Sequence, residues 1–311
     1  LTFIAFLFTE IALSDDQIPT EVFGSPPLIS NVKISPSGEK IAVYATLKNG
    51  DSAILVRDLT KNEPYKSIAS SDNKSLKLIS FNWFDDEIIL ARAWLAQDVY
   101  NTKLDYYRLL RVNVDGSGFE PLFKKRHFKD LPLRWEEFDQ TRIIDWLPDD
   151  EDNILVQLRM SNARSPDVIK LNVKENSIKT VKKGVAGVGS WMTDEDGRVR
   201  IGQTYDRDRS TGSIIFQREG STKWRTVWDY SSFGEDAISV LGFGEAPNKV
   251  WYEAYKDGRL AVFSADISKQ NIEPELVYSH PKRDVETYLR YRKDKKDPIG
   301  IGFRDENFHH V

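Results

Sequence analysis

Beyond residue 30 the apolar positions alternate with polar ones in short runs, and no helical period is sustained. The runs include KIAVY at Lys40–Tyr44, AILV at Ala53–Val56, and later EIILARA, NILVQLRM, VRIGQTY, SIIFQRE, KVWYEAY and LAVFSADI. They are rich in β-branched and aromatic residues and are bounded by Gly, Asp, Asn and Pro, so each predicts a strand. One form of turn recurs between them: Ser35-Pro36-Ser37-Gly38, Phe84-Asp85-Asp86, Leu147-Pro148-Asp149-Asp150, Thr193 to Gly197, and Glu245-Ala246-Pro247-Asn248. Each follows an apolar strand (ISNVKI, LISFNW, RIIDWL, VGSWM, ISVLGF) and opens another. The spacing is about four dozen residues, with one longer interval, which is the length of a four-stranded propeller blade.

The first repeat supplies the inner detail. NVKI, EKIAVYATL, SAILVRDL and PYKSIA make four strands, with Asn49-Gly50 as a hairpin turn. The pattern therefore predicts an all-β chain, a β-propeller of four-stranded antiparallel blades. Five fairly complete blades are expected at 29–70, 77–124, 141–184, 187–232 and 237–280, and a sixth begins at 285. The expected domain runs over 15–311 and is incomplete at its C-terminus, as in a fragment.

Residues 1–14 read differently. LTFIAFLFTEIAL is an apolar run, and Ala12-Leu13-Ser14 offers small residues where a signal peptidase cleaves. The reading is a signal-peptide remnant and an exported protein, periplasmic or extracellular. The run is too short to span a bilayer, and no later segment is apolar enough, so no span is expected in the mature chain.

Composition narrows the chemistry. The 311 residues hold 44 Lys and Arg against 48 Asp and Glu, a net charge of −4. No broad positive field is available for nucleic acid. With no cysteine, disulfides, thiolate zinc sites and thiol nucleophiles are excluded.

The stretch PLISNVKISPSGEKIAVYATLKNGDSAILVRDL resembles the opening propeller blade of prolyl-oligopeptidase-type serine peptidases. RIIDWLPDDEDNILVQL, DVIKLNVKENSIKTV and VGSWMTDEDGRVRIG resemble the middle of the same propeller, in the acylaminoacyl-peptidase and dipeptidyl-aminopeptidase-like branch. The resemblance implies an α/β-hydrolase domain, covalently linked to the propeller, with a G-x-S-x-G nucleophile elbow. Neither GVGSW nor DGSGF has the two flanking glycines, and no βαβ alternation is present to hold an elbow. No catalytic residue carries over. The implied function is a non-catalytic domain that gates and helps bind peptide substrates. The alternative is a stand-alone exported propeller that binds a protein or other ligand.

Candidate site residues are few. In the insertion at 124–140, Glu136-Glu137 stands at an offset similar to the glutamate pair that binds the substrate amine in the dipeptidyl branch, as the resemblance implies. The plain alternative is a surface loop of mixed charge. The carboxylate runs at Asp85-Asp86-Glu87, Asp149 to Asp152 and Asp194-Glu195-Asp196 read as solvated turns, and His309-His310 as a strand-end pair. No metal and no cofactor are expected. Trp83, Trp146 and Trp191 occupy equivalent places near the turns, where they either face the axis or pack between blades; repeat equivalence favours packing.

Overall fold

Apolar residues on both faces of a strand call for a sheet covered on both sides. The computed structural model describes residues 24–99, 101–128, 137–161, 164–244, 246–285, 287–291, 298–304 and 308–310. The proposed leader, Glu136 and most of the insertion after Phe128 lie outside them. Apart from a 3-10 helix at Lys125–Phe128, the elements are strands.

They form six antiparallel sheets, each ordered as in the chain. The first blade is β1 (Ile29–Ile34), β2 (Lys40–Thr46), β3 (Ser52–Asp58) and β4 (Lys66–Ser71). The second is β5 (Leu76–Trp83), β6 (Ile88–Val99), β7 (Thr102–Asn113) and β8 (Glu120–Pro121). The third is β9 (Ile143–Asp145), β10 (Asn153–Leu158), β11 (Asp167–Asn172) and β12 (Ser177–Lys182). The fourth is β13 (Val188–Thr193), β14 (Val199–Asp206), β15 (Thr211–Gln217) and β16 (Trp224–Ser231). The fifth is β17 (Ile238–Phe243), β18 (Lys249–Lys256), β19 (Arg259–Asp266) and β20 (Glu275–Tyr278). The sixth shows β21 (Thr287–Tyr291), β22 (Pro298–Arg304) and β23 (Phe308–His310). The turn glycine predicted at Asn49-Gly50 is used as such, with φ +85° at Gly50, a conformation that costs glycine nothing.

Five apolar clusters hold the blades together, and each joins consecutive blades. Ile54, Val56 and Ile68 of the first meet Leu78, Phe81 and Ile89 of the second. Leu90, Leu109 and Leu122 of the second meet Ile154, Val156 and Leu171 of the third. Leu155 and Val168 then pack with Val188 and Trp191 of the fourth. Ile214 and Phe216 pack with Val250 and Tyr252 of the fifth, and Val262 with Ile301 of the sixth. Strand parity explains the apolar runs: in β10, Ile154, Val156 and Leu158 face back while Leu155 faces forward. Each such buried side chain contributes about 1.5–3 kcal/mol.

Basic residues clip the first, second and fourth blades to turns on the next. Lys66 Nζ donates to Asp115 O at 2.8 Å, Arg126 Nη2 to Asn176 O at 2.6 Å, and Arg225 Nη2 to Lys269 O at 3.0 Å. These acceptors lie in or beside the connection between the third and fourth strands of the next blade. Lys40 Nζ and Arg200 Nη1 do the same for the first turn, donating to Asp86 O at 2.9 Å and Pro247 O at 2.6 Å.

The long second interval has two sources. Part lies in the β6–β7 hairpin, whose strands are 12 residues each, and part in the connector. Strand β8 covers only Leu110 and Arg111 of β7. The returning connector takes up the next position, where Tyr107 N donates to Phe138 O at 2.7 Å and Gln140 N to Tyr107 O at 3.0 Å.

Candidate functional site

The first strands of the blades run innermost: β1 touches β5, β9 touches β13, and β17 touches β21. A cavity of about 440 Å³ opens among the inner parts of the second, third and fourth blades, within the size range of small-ligand sites. Strand β5 contributes Ser80, Phe81 and Asn82, and β13 contributes Ser190 and Trp191. From the third blade come Thr141, Arg142, Ile143, Ile144, Trp146 and Gln157. Behind them, β6 and β7 supply Leu90, Arg92 and Leu109.

The wall is rigid where blades meet. Gln157 is almost fully buried, and its amide uses both ends: Nε2 donates to Gly189 O at 3.0 Å, and Oε1 accepts from Trp191 N at 2.9 Å. This bond straddles the β13 irregularity between Val188 and Ser190, so Gln157 fixes the inner strand of the fourth blade. Trp191 Nε1 donates to Pro166 O at 2.8 Å. Asp139 Oδ1 accepts from Thr141 N and Oγ1 at 2.9 and 2.6 Å, which shapes the turn that presents Arg142.

The three tryptophans are not equivalent. Trp83 packs between the first and second blades and donates Nε1 to Lys33 O at 3.0 Å. Trp191 packs between the third and fourth. Trp146 departs from the repeat: it is 38% exposed and lines the cavity. The cause is local. Strand β9 is only three residues long, and Leu147 turns inward to the third-to-fourth cluster in its place. Leu147 does so at φ +47°, a strained conformation for a branched side chain. Its N–H is held by Asp145 Oδ1 at 2.8 Å.

Two guanidiniums face this space, and no carboxylate lines it among the described residues. Arg92 sits with its guanidinium carbon 4.7 Å from the Tyr107 ring centroid, and its Nε is buried without a hydrogen-bond partner. Arg142 is exposed and also borders a smaller cavity of about 100 Å³ with Glu137, Asp139 and Arg159. Sequence reasoning missed both arginines. The available signal was a cation inside the apolar run of β6, which needs a reason to be there.

Of the predicted pair, only Glu137 is described. Both its oxygens accept from Arg159 Nη1 at 3.0 Å, and its side chain is 11% exposed. An ammonium arriving here meets a carboxylate already engaged. The acidic runs sit in turns: Asp85 Oδ1 accepts from Glu87 N and Ile88 N, and Asp150 pairs with Lys170 at 2.6 Å. Asp86 is held below the usual carboxylate range chiefly by the Ser37 N–H of the first blade. Among the described residues no group of three or more His, Asp or Glu is placed to hold a metal ion. His309 and His310 lie on β23.

The architecture defines a β-propeller domain. No protein-family model matches the chain, and no curated protein matches it. Among solved structures, one from a study of two prolyl endopeptidases superposes with a TM-score of 0.52 at 12% identity, over 89% of this chain and 39% of that one. An acylaminoacyl peptidase in complex with Z-Gly-Gly-Phe-chloromethyl ketone gives 0.46 at 12% identity, over 92% and 45%. The β-propeller domain of the Trilobed protease from Pyrococcus furiosus gives 0.42 at 15% identity, over 91% and 81%. The chain thus spans less than half of the two peptidases first named. At such identities the likeness concerns the fold. No helix among the described residues is long and apolar enough to cross a membrane.

Proposed function

We propose that this chain is a non-catalytic propeller module that admits and holds short peptides, in the service of a serine peptidase domain carried by the same polypeptide. The observation that carries the reading is the cavity among β5, β9 and β13, walled by Trp146, Trp191 and hydrogen-bonding groups. A lining shared between apolar side chains and hydrogen-bonding groups suits a peptide, which offers both apolar surface and backbone hydrogen bonds. The resemblance of the first and middle repeats to prolyl-oligopeptidase-type propellers supports the same reading. The leader-like start supports export, and Glu136 with Glu137 would favour peptides whose free amine displaces Arg159 from Glu137.

The test is a titration of this chain with uncharged tripeptides, followed by tryptophan emission, alongside an assay with aminoacyl and acylaminoacyl chromogenic peptides. Saturable binding that is weakened in Trp146→Ala, with no turnover, is expected. Turnover blocked by an active-serine reagent, or absence of binding, would overturn the reading. Replacing both glutamates by Gln should remove any preference for free over blocked N-termini.

A further inference from the structure

The chain as a whole is acidic, yet the cavity among the second, third and fourth blades is lined by two guanidiniums and, among the described residues, by no carboxylate. Arginine is placed beside a carboxylate or a carbonyl in most protein interiors, because its donors are costly to leave unmet. Several arginines of the protein follow that rule. Arg200 uses Gln217 O, Pro247 O and Asn248 Oδ1, Arg111 uses Val173 O and Lys174 O, and Arg159 uses Glu137. Arg92 departs from it in the cavity wall, with a buried Nε that has no hydrogen-bond partner, as Arg57 does against Tyr65 outside the cavity. Arg92 sits mid-strand opposite Ser80 and Leu109, and its charge is met by the face of Tyr107. That contact stabilises a cation without consuming its in-plane donors. Arg142, which is exposed, lines the same cavity from the turn shaped by Asp139 and Thr141. The two acids nearest to it in the smaller cavity are engaged, Glu137 by Arg159 and Asp139 by Thr141.

From this arrangement we propose that the cavity is a carboxylate-binding site: it takes peptides bearing an acidic side chain or a free C-terminal carboxylate, held by Arg92 and Arg142. The inference rests on the peptide-binding reading above and names the class of peptide. A guanidinium fork matches a carboxylate with two parallel hydrogen bonds, which lysine does not reproduce. Asn82, Ser80 and Ser190 line the same space and offer neutral hydrogen bonds to the peptide backbone, while Trp146 and Trp191 supply flat apolar walls.

The experiment titrates the intact chain, by tryptophan emission, with four tripeptide probes: acetyl-Gly-Glu-Gly-amide, acetyl-Gly-Gln-Gly-amide, acetyl-Gly-Lys-Gly-amide, and acetyl-Gly-Gly-Gly with a free carboxyl end. The first and last separate side-chain from terminal carboxylates. At least one of them should bind about tenfold or more tighter than the glutamine probe, as expected for a charge-assisted pair. The advantage should shrink as salt is raised, because the cavity is open to solvent. Arg92→Met with Arg142→Met keeps most of each apolar stem; it should abolish the preference while glutamine-probe binding persists, which also shows that the variant is folded. Arg92→Lys with Arg142→Lys should keep only part of it. Equal binding of acidic and neutral probes, a preference for lysine, or an unchanged preference in the double Met variant would overturn the carboxylate assignment and leave peptide binding standing. If no probe binds, both readings fall together.

Discussion

Two residues show how single side chains hold this fold. Arg200 is 2% exposed and donates to Gln217 O, Pro247 O and Asn248 Oδ1, with Asp194 as a buried counter-ion at 3.4 Å. Its guanidinium lies between the rings of Phe216 and Phe243, so it joins the fourth and fifth blades by charge and by packing. Arg200→Met should cost about 3 kcal/mol in urea unfolding; Arg198, also paired with Asp194 at 3.0 Å, keeps the loss from being larger. A loss within experimental error would show that the clip is idle. His127 is the second case. Its Nδ1 accepts from Lys124 N at 3.2 Å, so the proton sits on Nε2, which faces Asn176 O at 3.2 Å. Burial, then the charge of Arg126, push its pKa below the ordinary value. The unfolded chain therefore takes up the proton first. The contribution is whole above the ordinary histidine value, about 6.5, and is lost as pH falls from there through the lower value His127 has in the folded chain. Urea midpoints at neutral and mildly acid pH should fall further apart in the wild type than in His127→Gln.

At the level of strands and turns, most of the fold was legible. Alternation gave strands, Asn49-Gly50 and the Ser-Pro-Ser-Gly type of turn gave hairpins, and the recurring spacing gave blade boundaries close to those observed. These signals are local, and each blade repeats them. What could not be read depends on neighbours. The sequence shows Trp83, Trp146 and Trp191 as one set, yet the short β9 and the left-handed Leu147 send Trp146 into the cavity. The extra length before the third blade looks like one loop, yet part of it extends β6 and β7. Arg92 carries one local mark, a cation within an apolar run, and Arg142 carries none; only the convergence of three blades puts them at one space. The candidate pair at Glu136-Glu137 rested on offset alone, and the described member is tied to Arg159. Trp191 tests whether an inner strand is held by its blade neighbour: Trp191→Phe keeps an aromatic ring but loses the indole N–H and with it the bond to Pro166 O. It should cost about 1–3 kcal/mol, the usual effect of a buried acceptor left unmet. A neutral effect would mean that the carbonyl finds another donor.

For the whole molecule, radial repetition decides what is stable and what is free to bind. Each blade covers the faces of its neighbours, so the apolar runs disappear into five interfaces and the inner strands are left to border a common space. The first blade shows the cost of an uncovered face: Ile29, Val32 and Ile34 of β1 are each more than half exposed, at 56%, 55% and 61%, a patch that invites association. The proposed site needs residues far apart in sequence to share one ligand space. Because the chain has no cysteine, single thiols report on this cleanly. Ser80→Cys on β5 and Ser190→Cys on β13 come from blades that are not adjacent, and Ser117→Cys lies in an outer turn. Alkylation of each by iodoacetamide, with and without a saturating acidic tripeptide, measures the claim directly. The account requires the peptide to slow modification at positions 80 and 190 alike and to leave position 117 unchanged; protection at one inner position only, at neither, or at 117 would contradict it.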